Sequence, residues 1–205
     1  MPCLKGTGAY KLGVNYAPGI LPQKEAAERG YAQNLWLHGP EHYLTEVGTM
    51  NLFVVFNRND TYEIVTPPLD GMILPGVTRD SVLALAKDHE SGKLRLAGLD
   101  KDVIVSERPV TMKEVQEASR AAQLVEMFGA GDSFCSASWT WSADIYWLSG
   151  TAAVISAVDK IGYLGSDILV PTGKDGMGPV AHSMWNELVG RQTGVIPSEW
   201  SVVVT

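Results

Sequence analysis

A strand–turn–strand pattern at residues 50–66 constrains the fold most. Residues 50–56 read MNLFVVF, residues 62–66 read YEIVT, and the polar segment Asn57-Arg58-Asn59-Asp60 lies between them. Runs of β-branched and aromatic residues on either side of a short Asn- and Asp-containing segment are typical of a β-hairpin. The sequence therefore predicts two strands joined by a hairpin loop, with residues 46–49 at the mouth of the first strand.

Helical and strand patterns alternate along the rest of the chain. Pro22 suits a first helical turn, Gly30 suits the residue after a last turn, and Thr111 with Glu114 fits a capping box. The predicted helices are 21–30, 78–88, 111–120 and 178–191, and the further predicted strands are 34–38, 103–107, 123–128, 152–158 and 167–170. Turns are expected at 39–42 and 129–131. The pattern indicates an α/β fold, mixed α and β, in one domain spanning residues 1–205.

Composition excludes several classes of function. The 205 residues are 45% hydrophobic with a net charge of -7, which argues against nucleic acid or an anionic membrane surface as a partner. No apolar stretch approaches the roughly 18 residues of a membrane span, so we expect a soluble protein of the cytoplasm or of mitochondria. Neither the cysteines nor the histidines have metal-ligand spacing, and we expect structural or surface roles for the histidines: Cys3, Cys135, His38, His42, His89 and His182.

Candidate chemistry begins at Lys11, because a lysine amine can form an imine with an aldehyde and the phenol of Tyr16 follows five residues later. The helix predicted from Thr78 follows a Pro-Gly turn, and unpaired amides at a helix N-terminus bind anions. From spacing alone, that turn and an ordinary helix cap would be the simpler interpretation. Most lysines and glutamates are solvated, so these signals gain weight only from their combination.

Five segments occur in an order that resembles a known family. They read KLGVNY at 11–16, TEVGTMN at 45–51, LPGVTR at 74–79, FGAG at 128–131 and TA at 151–152. Together they resemble the branched-chain aminotransferases, which are pyridoxal phosphate (PLP) enzymes of the class IV fold. The resemblance runs from about Gly6 to the C-terminus with one interruption. It implies the large C-terminal domain of that fold.

The resemblance assigns catalytic and substrate roles. Lys11 corresponds to the lysine that forms the Schiff base and then carries a proton as general acid and base. Tyr16 corresponds to the phenol at the cofactor 3-oxygen, and Glu46 to the carboxylate that keeps the pyridine nitrogen protonated. Thr49 and Ala152 correspond to residues that contact the substrate carboxylate.

The resemblance also assigns the cofactor phosphate. The amides of Val77 and Thr78, which follow Gly76, correspond to the anion site at a helix N-terminus. Thr151 corresponds to a threonine whose hydroxyl completes that site. The sequence therefore predicts a PLP site whose parts are distant along the chain.

Three departures from the family limit the expectation. The small N-terminal domain of the family is missing from this sequence, together with a phosphate-binding arginine. Nineteen residues, 132–150, separate Gly131 from Thr151, where the family has none. They correspond to 57 nucleotides in frame, and a translated intron is one hypothesis. The family's redox Cys-x-x-Cys falls on Ala153 and Ser156, so that switch is absent.

The predicted reaction is transfer of the amino group between leucine, isoleucine or valine and 2-oxoglutarate. Alternatives are a D-amino-acid aminotransferase, an aminodeoxychorismate lyase, or an inactive PLP-binding remnant. The run LWLHGPEH at 35–42 favours the branched-chain group. A homodimer is expected for full-length members of the family, and no metal is expected.

Overall fold

A seven-stranded sheet with helices on both faces accounts for most of the secondary structure in this computed structural model, which describes residues 12–131 and 154–200. The helices are α1 Gly13–Tyr16, α2 Ile20–Glu28, α3 Val77–Glu90, α4 Met112–Arg120 and α5 Pro179–Gln192, with a 3-10 turn at Ala17–Gly19. The strands are β1 Leu35–His38, β2 Tyr43–Val47, β3 Met50–Arg58, β4 Thr61–Thr66, β5 Val103–Glu107, β6 Leu124–Ala130, β7 Ile155–Val158, β8 Lys160–Tyr163 and β9 Ser166–Leu169.

Strand β3 organises the sheet. It pairs antiparallel with β6 over most of its length, with β4 over its second half, and with β2 at its first two residues. β1 adds to β2, β7 adds to β6, and all of these pairs are antiparallel, whereas β4 and β5 are parallel. β8 and β9 form a separate two-stranded ribbon. The sheet is therefore mixed, and the predicted α/β class is confirmed.

Both faces of β3 are buried, as its uninterrupted apolar run requires. Phe53 and Val55 face a core with α3 and α5, and the rings of Phe53 and Phe128 stack 5.1 Å apart. Leu52, Val54 and their neighbours face a second core with α4 and the β8–β9 ribbon. Since successive side chains of a strand point to opposite faces, this one strand joins the two cores.

Most predicted elements are present with shifts of one to a few residues at their ends. The helix predicted at 111–120 has the expected cap, because the Thr111 hydroxyl accepts a hydrogen bond from the Glu114 amide at 3.1 Å. Gly30 has the left-handed φ of 81° expected after α2. Strand β5 spans the predicted residues 103–107. Local capping and turn signals therefore located these elements correctly.

Four local predictions were wrong. The hairpin loop after β3 is not four residues long, because pairing continues to Arg58 and Thr61, so that only Asn59 and Asp60 turn, both with positive φ. Strand β2, which contains Glu46, was not predicted. The turn predicted at 129–131 is also corrected, because β6 continues through Ala130. Strand β8 was not predicted.

The histidine prediction is confirmed for His89. Its buried ring contacts the Lys101 carbonyl and accepts a hydrogen bond from the Leu96 amide, as a structural histidine does. Among the described residues, no group of three or more His, Cys, Asp or Glu side chains could hold a metal ion, and no helix is long and apolar enough to cross a membrane. Cys3, Cys135 and the segment 132–150 lie outside the described residues.

Candidate active site

The predicted site is built around the backbone of one residue, Leu74, in the segment between β4 and α3. The carboxylate of Glu46, in β2, accepts a hydrogen bond from the Leu74 amide at 3.0 Å. Twenty-eight residues separate the two in sequence, so this contact fixes the segment before α3 against the sheet. It brings two of the motifs that carry the family resemblance together in space.

Asn51 holds the other end of the same residue. Its side-chain Nδ2 donates to the Leu74 carbonyl at 2.8 Å, and its side chain is almost fully buried. Asn51 lies directly opposite Glu46 in the β2–β3 register. The Glu46 carboxylate and the Asn51 side-chain amide therefore hold the backbone of Leu74 from two neighbouring strands. We call this pair of hydrogen bonds the Leu74 grip.

Helix α3 begins immediately beyond this grip. Gly76 is its N-cap with extended backbone angles, and Val77 and Thr78 are its first two residues. The Gly76 N-cap supplies no capping side chain. Val77 is 84% exposed. The helix therefore begins at an exposed residue, close to the residue that Glu46 and Asn51 hold.

Gly76 is required for space. Its φ of -78° suits any residue, but a Cβ at this position would overlap Oδ1 of Asn51. Asn51 thus contacts this segment twice, by a hydrogen bond at Leu74 and by close packing at Gly76. A side chain at residue 76 would therefore have to displace the Asn51 side chain.

The β2–β3 turn lies beside the grip and is itself supported. Gly48 takes a left-handed φ of 57°, and its carbonyl accepts a hydrogen bond from the Trp36 indole at 2.8 Å. The Trp36 ring also packs near Gly19, where an added Cβ would lie 3.5 Å away. Thr49, the second residue of the turn, is exposed. Tyr16 is half-buried at the end of α1. It lies three residues before Gly19, which packs near the Trp36 ring that supports this turn.

The ends of two more strands lie at the same edge of the sheet. Ala130 pairs with Asn51 across β6 and β3, and with Ile155 across β6 and β7. The Gly131 amide donates to the Val154 carbonyl at 3.2 Å. The residues that flank the undescribed range therefore lie on adjacent strand ends.

Burial dominates the electrostatics of Glu46. It raises the pKa of the Glu46 carboxyl, and the hydrogen bond from the Leu74 amide partly offsets this. A carboxylate that has lost part of its hydration in this way is stabilised by any cation placed against it. The carboxyl therefore suits a positively charged partner at the edge of the sheet.

The structure thus brings together Glu46, Gly76, Val77 and Thr78, and it places Thr49 on the adjoining turn. Lys11, Thr151 and Ala152 lie outside the described residues, so their predicted roles stay predictions.

A cavity of about 480 Å³ lies elsewhere, between α2 and the strands β7 and β8. It is lined by residues that include Arg29, Tyr31, Met127, Ser156 and Lys160. None of the described site residues lines it, although Val47 and Met50, the chain neighbours of Glu46 and Asn51, do.

Comparison with known proteins decides the family. The sequence profile of the family described as amino-transferase class IV matches residues 5–125, more than half of the chain. The chain belongs to the class IV aminotransferases. The matched range of this class IV aminotransferase contains Glu46, Asn51 and the start of α3.

Two curated relatives are named branched-chain-amino-acid aminotransferases. The mitochondrial protein of Schizosaccharomyces pombe is 46% identical over 201 residues, covering 96% of this chain and 40% of the relative. The cytosolic protein of Saccharomyces cerevisiae is 44% identical over 204 residues, covering 98% and 47%. This class IV aminotransferase chain therefore spans less than half the length of each relative.

A solved structure has the same fold. The branched-chain amino acid aminotransferase of Escherichia coli matches with a TM-score of 0.62 at 27% identity. The match covers 98% of this chain and 52% of that one. The predicted fold of the class IV aminotransferases is confirmed.

A second solved structure adds a cofactor derivative. It is the T.th. branched-chain amino acid aminotransferase complexed with N-(5'-phosphopyridoxyl)-L-glutamate, and it matches with a TM-score of 0.61 at 26% identity. The match covers 96% of this chain and 50% of that one. The predicted PLP cofactor of this family is therefore confirmed by a structural neighbour.

Sequence reasoning missed Asn51, although the signal was available. A two-residue turn at Gly48 and Thr49 places residues 47 and 50 opposite each other, and then residues 46 and 51. Because residues 43–47 were not predicted to form a strand, this pairing was not predicted either.

Proposed function

We propose that this chain forms the PLP-binding part of a branched-chain aminotransferase. The enzyme transfers the amino group between leucine, isoleucine or valine and 2-oxoglutarate. One observation carries the proposal: Glu46 and the open N-terminus of α3 are tied to each other through Leu74. A carboxylate and an anion site held at a fixed separation are what a phosphorylated pyridine cofactor requires.

The start of α3 fits a phosphate. Amides at a helix N-terminus point outward and carry a partial positive charge, so they bind anions. The Gly76 N-cap supplies no capping side chain, and Val77 is 84% exposed. In the proposal the Val77 and Thr78 amides hold the cofactor phosphate, and Gly76 lets the segment pack closely enough on Asn51 to present them.

The carboxyl of Glu46 fits a protonated pyridine nitrogen. Burial raises its pKa, and a cation beside it would lower that pKa and recover the cost of burying the charge. When bound, PLP acts as an electron sink for the substrate α-carbon, and its capacity depends on that ring proton. Glu46 would hold the proton on the ring nitrogen.

The remaining roles rest on the family resemblance. Lys11 would join the cofactor covalently and move the proton at the substrate α-carbon, and Tyr16 would bind the 3-oxygen. Thr151 would add a hydroxyl to the phosphate. Thr49 and Ala152 would bind the substrate carboxylate.

The names of the relatives support the branched-chain substrate class over a D-amino-acid aminotransferase or a lyase. A homodimer is part of the proposal and can be measured by sedimentation. The two relatives are named mitochondrial and cytosolic, so the compartment is left to localisation of the native protein.

Cofactor binding tests the proposal directly. The full 205-residue chain should acquire a visible absorption band with PLP. Borohydride should then fix the cofactor covalently to Lys11, as peptide mass spectrometry would reveal. Lys11→Ala should abolish both signals. The matched control is Lys24→Ala, which removes an exposed lysine of α2 and should change neither.

Activity separates the substrate classes. The purified chain is assayed alone with L-leucine and 2-oxoglutarate, with D-alanine and with aminodeoxychorismate. Turnover of L-leucine with 2-oxoglutarate supports the proposal. Cofactor trapping without turnover of any substrate would leave a PLP-binding protein that is not an enzyme, and trapping at a lysine other than Lys11 would overturn the site assignment.

A further inference from the structure

We infer that Asn51 is a positioning residue for the cofactor phosphate: it fixes the start of α3 relative to Glu46. This inference rests on the proposed function, since it concerns the same site. It adds a residue that reaches the phosphate only through the backbone it holds.

The first support is the geometry of the grip. Glu46 accepts from the Leu74 amide at 3.0 Å, and Asn51 donates to the Leu74 carbonyl at 2.8 Å. Because residues 46 and 51 face each other across two strands, the two contacts leave the Leu74 peptides little freedom to rotate or slide. With Asn51 removed, Glu46 alone would hold the segment at a single point.

The second support is the route from Leu74 to the anion site. Only Pro75 and Gly76 separate Leu74 from the helix, and proline fixes its own φ at about -65°. A displacement of Leu74 therefore occurs within three residues of the Val77 amide and should shift the start of α3. Glu46 and the phosphate site would lose their fixed separation.

The third support is the close packing of Asn51 on Gly76. Oδ1 of Asn51 occupies the space that a Cβ of residue 76 would take. The two positions are therefore coupled: a side chain at 76 should be harmful while Asn51 is present and tolerated when it is absent. This coupling would not exist if Asn51 only stabilised the sheet.

The test compares PLP with pyridoxal, which has the same ring and aldehyde and no phosphate. Asn51→Ala should lower PLP affinity by roughly tenfold, the loss of about one hydrogen bond to a charged group, and pyridoxal affinity by less than about twofold. Thr66→Val is the matched control, because it removes a buried hydroxyl that donates to the Leu52 carbonyl at 2.7 Å, away from Leu74. Its ratio of PLP to pyridoxal affinity should equal that of the unchanged chain.

Coupling is read from a double-mutant cycle. Gly76→Ala alone should lower PLP affinity by about tenfold, and by less than about twofold in the Asn51→Ala background. If Asn51→Ala does not fold, judged by near-UV circular dichroism, Asn51→Ser replaces it, since serine lacks both the amide donor and the Oδ1 atom that occupies the space at residue 76.

The outcomes separate this inference from the proposed function. An unchanged ratio of PLP to pyridoxal affinity in the Asn51 variants refutes the positioning role while the proposed function stands. Additive effects of the Asn51 and Gly76 substitutions refute it as well. Failure of the unchanged chain to bind either aldehyde refutes the proposed function, and the role of Asn51 with it.

Discussion

The N-termini of helices α3 and α5 have similar backbone geometry but different chemical surroundings. Each is 14 residues long, and each follows a glycine N-cap with extended backbone angles, Gly76 and Gly178, that has no side chain to cap the helix. At α5 the Val180 and Ala181 amides donate to the carboxylate of Glu126 at 2.6 and 3.1 Å.

The difference follows from burial. Val180 and Ala181 are fully buried, so their amides require an acceptor inside the protein, and β6 supplies one. Val77 is 84% exposed, so this helix start lies at the surface. The same kind of helix start is therefore closed by the protein's own carboxylate at α5, and at α3 it is the one that we propose for an external anion.

Removal of the closing carboxylate should have the largest effect. Glu126→Ala leaves two buried amides without an acceptor and creates a cavity, and we expect the free energy of unfolding to fall by about 3–5 kcal/mol. Urea denaturation followed by circular dichroism measures this. Glu117→Ala, which removes an exposed carboxylate of α4, should change the free energy of unfolding by less than about 0.5 kcal/mol. Equal losses in the two variants would contradict the role given to Glu126.

The same carboxyl should make stability depend on pH. Burial raises the pKa of Glu126 from 4.5 to about 7, although the Val180 and Ala181 amides favour the ionised form. Between pH 4.5 and 7 the unfolded chain releases this proton while the folded chain retains it. The folded state then binds more protons, so the free energy of unfolding falls as the pH rises, by on the order of 3 kcal/mol in total.

Glu126→Gln isolates that dependence. Glutamine keeps the shape and does not titrate, so the difference between the two chains should carry the Glu126 contribution alone. The pKa of Glu46 is also raised, and its contribution remains in both chains. Identical pH profiles from pH 4.5 to 7 would show that folding does not raise the pKa of Glu126.

Sequence signals within short segments predicted most helices and strands, whereas contacts between residues distant in sequence were not predicted. Thr111 and Glu114 are three residues apart, so the cap of α4 is readable from sequence. Glu126 and Val180 are 54 residues apart, and only the packing of α5 on β6 brings them together. Strand β8 was missed because its hairpin turns at Leu164, which takes a left-handed φ of 47° without being a turn residue.

The candidate site was predictable in part for the same reason. The resemblance identified Glu46 and residues 76–78, because each lies in a recognisable short segment. Their connection through Leu74 depends on the β2–β3 register, which a one-residue error in the turn would change entirely. The sequence motifs therefore pointed to the candidate residues, and the β2–β3 register determines how these residues lie relative to each other.

A proline at residue 77 would make α3 resemble α5, whose first residue is Pro179. Proline suits the first position of a helix, and the extended ψ of 138° at Gly76 suits the residue before it. Val77→Pro should therefore leave the free energy of unfolding within about 0.5 kcal/mol. By removing one amide donor it should lower PLP affinity by roughly 10- to 100-fold. Isothermal titration measures the affinity.

The reciprocal change at α5 is the control. Pro179→Ala restores an amide at the closed N-terminus and should leave PLP affinity unchanged. Undiminished binding by Val77→Pro would exclude the Val77 amide from the anion site.

Helix α4 provides the smallest effect, because its N-terminus is closed by its own cap. The Thr111 hydroxyl accepts from the Glu114 amide, while the Glu114 carboxylate pairs with Arg58 and Arg108 and so has partners other than the cap. Thr111→Ala should lower the free energy of unfolding by about 1 kcal/mol, and Thr111→Ser, which keeps the hydroxyl, by less than half of that. Denaturant midpoints at a constant m-value measure both. A loss as large as that of Glu126→Ala would mean that the local cap of α4 stabilises the fold as much as the buried carboxylate does. The contrast between helix N-termini that the protein caps itself and the N-terminus proposed for an external anion would then rest on α3 and α5 alone.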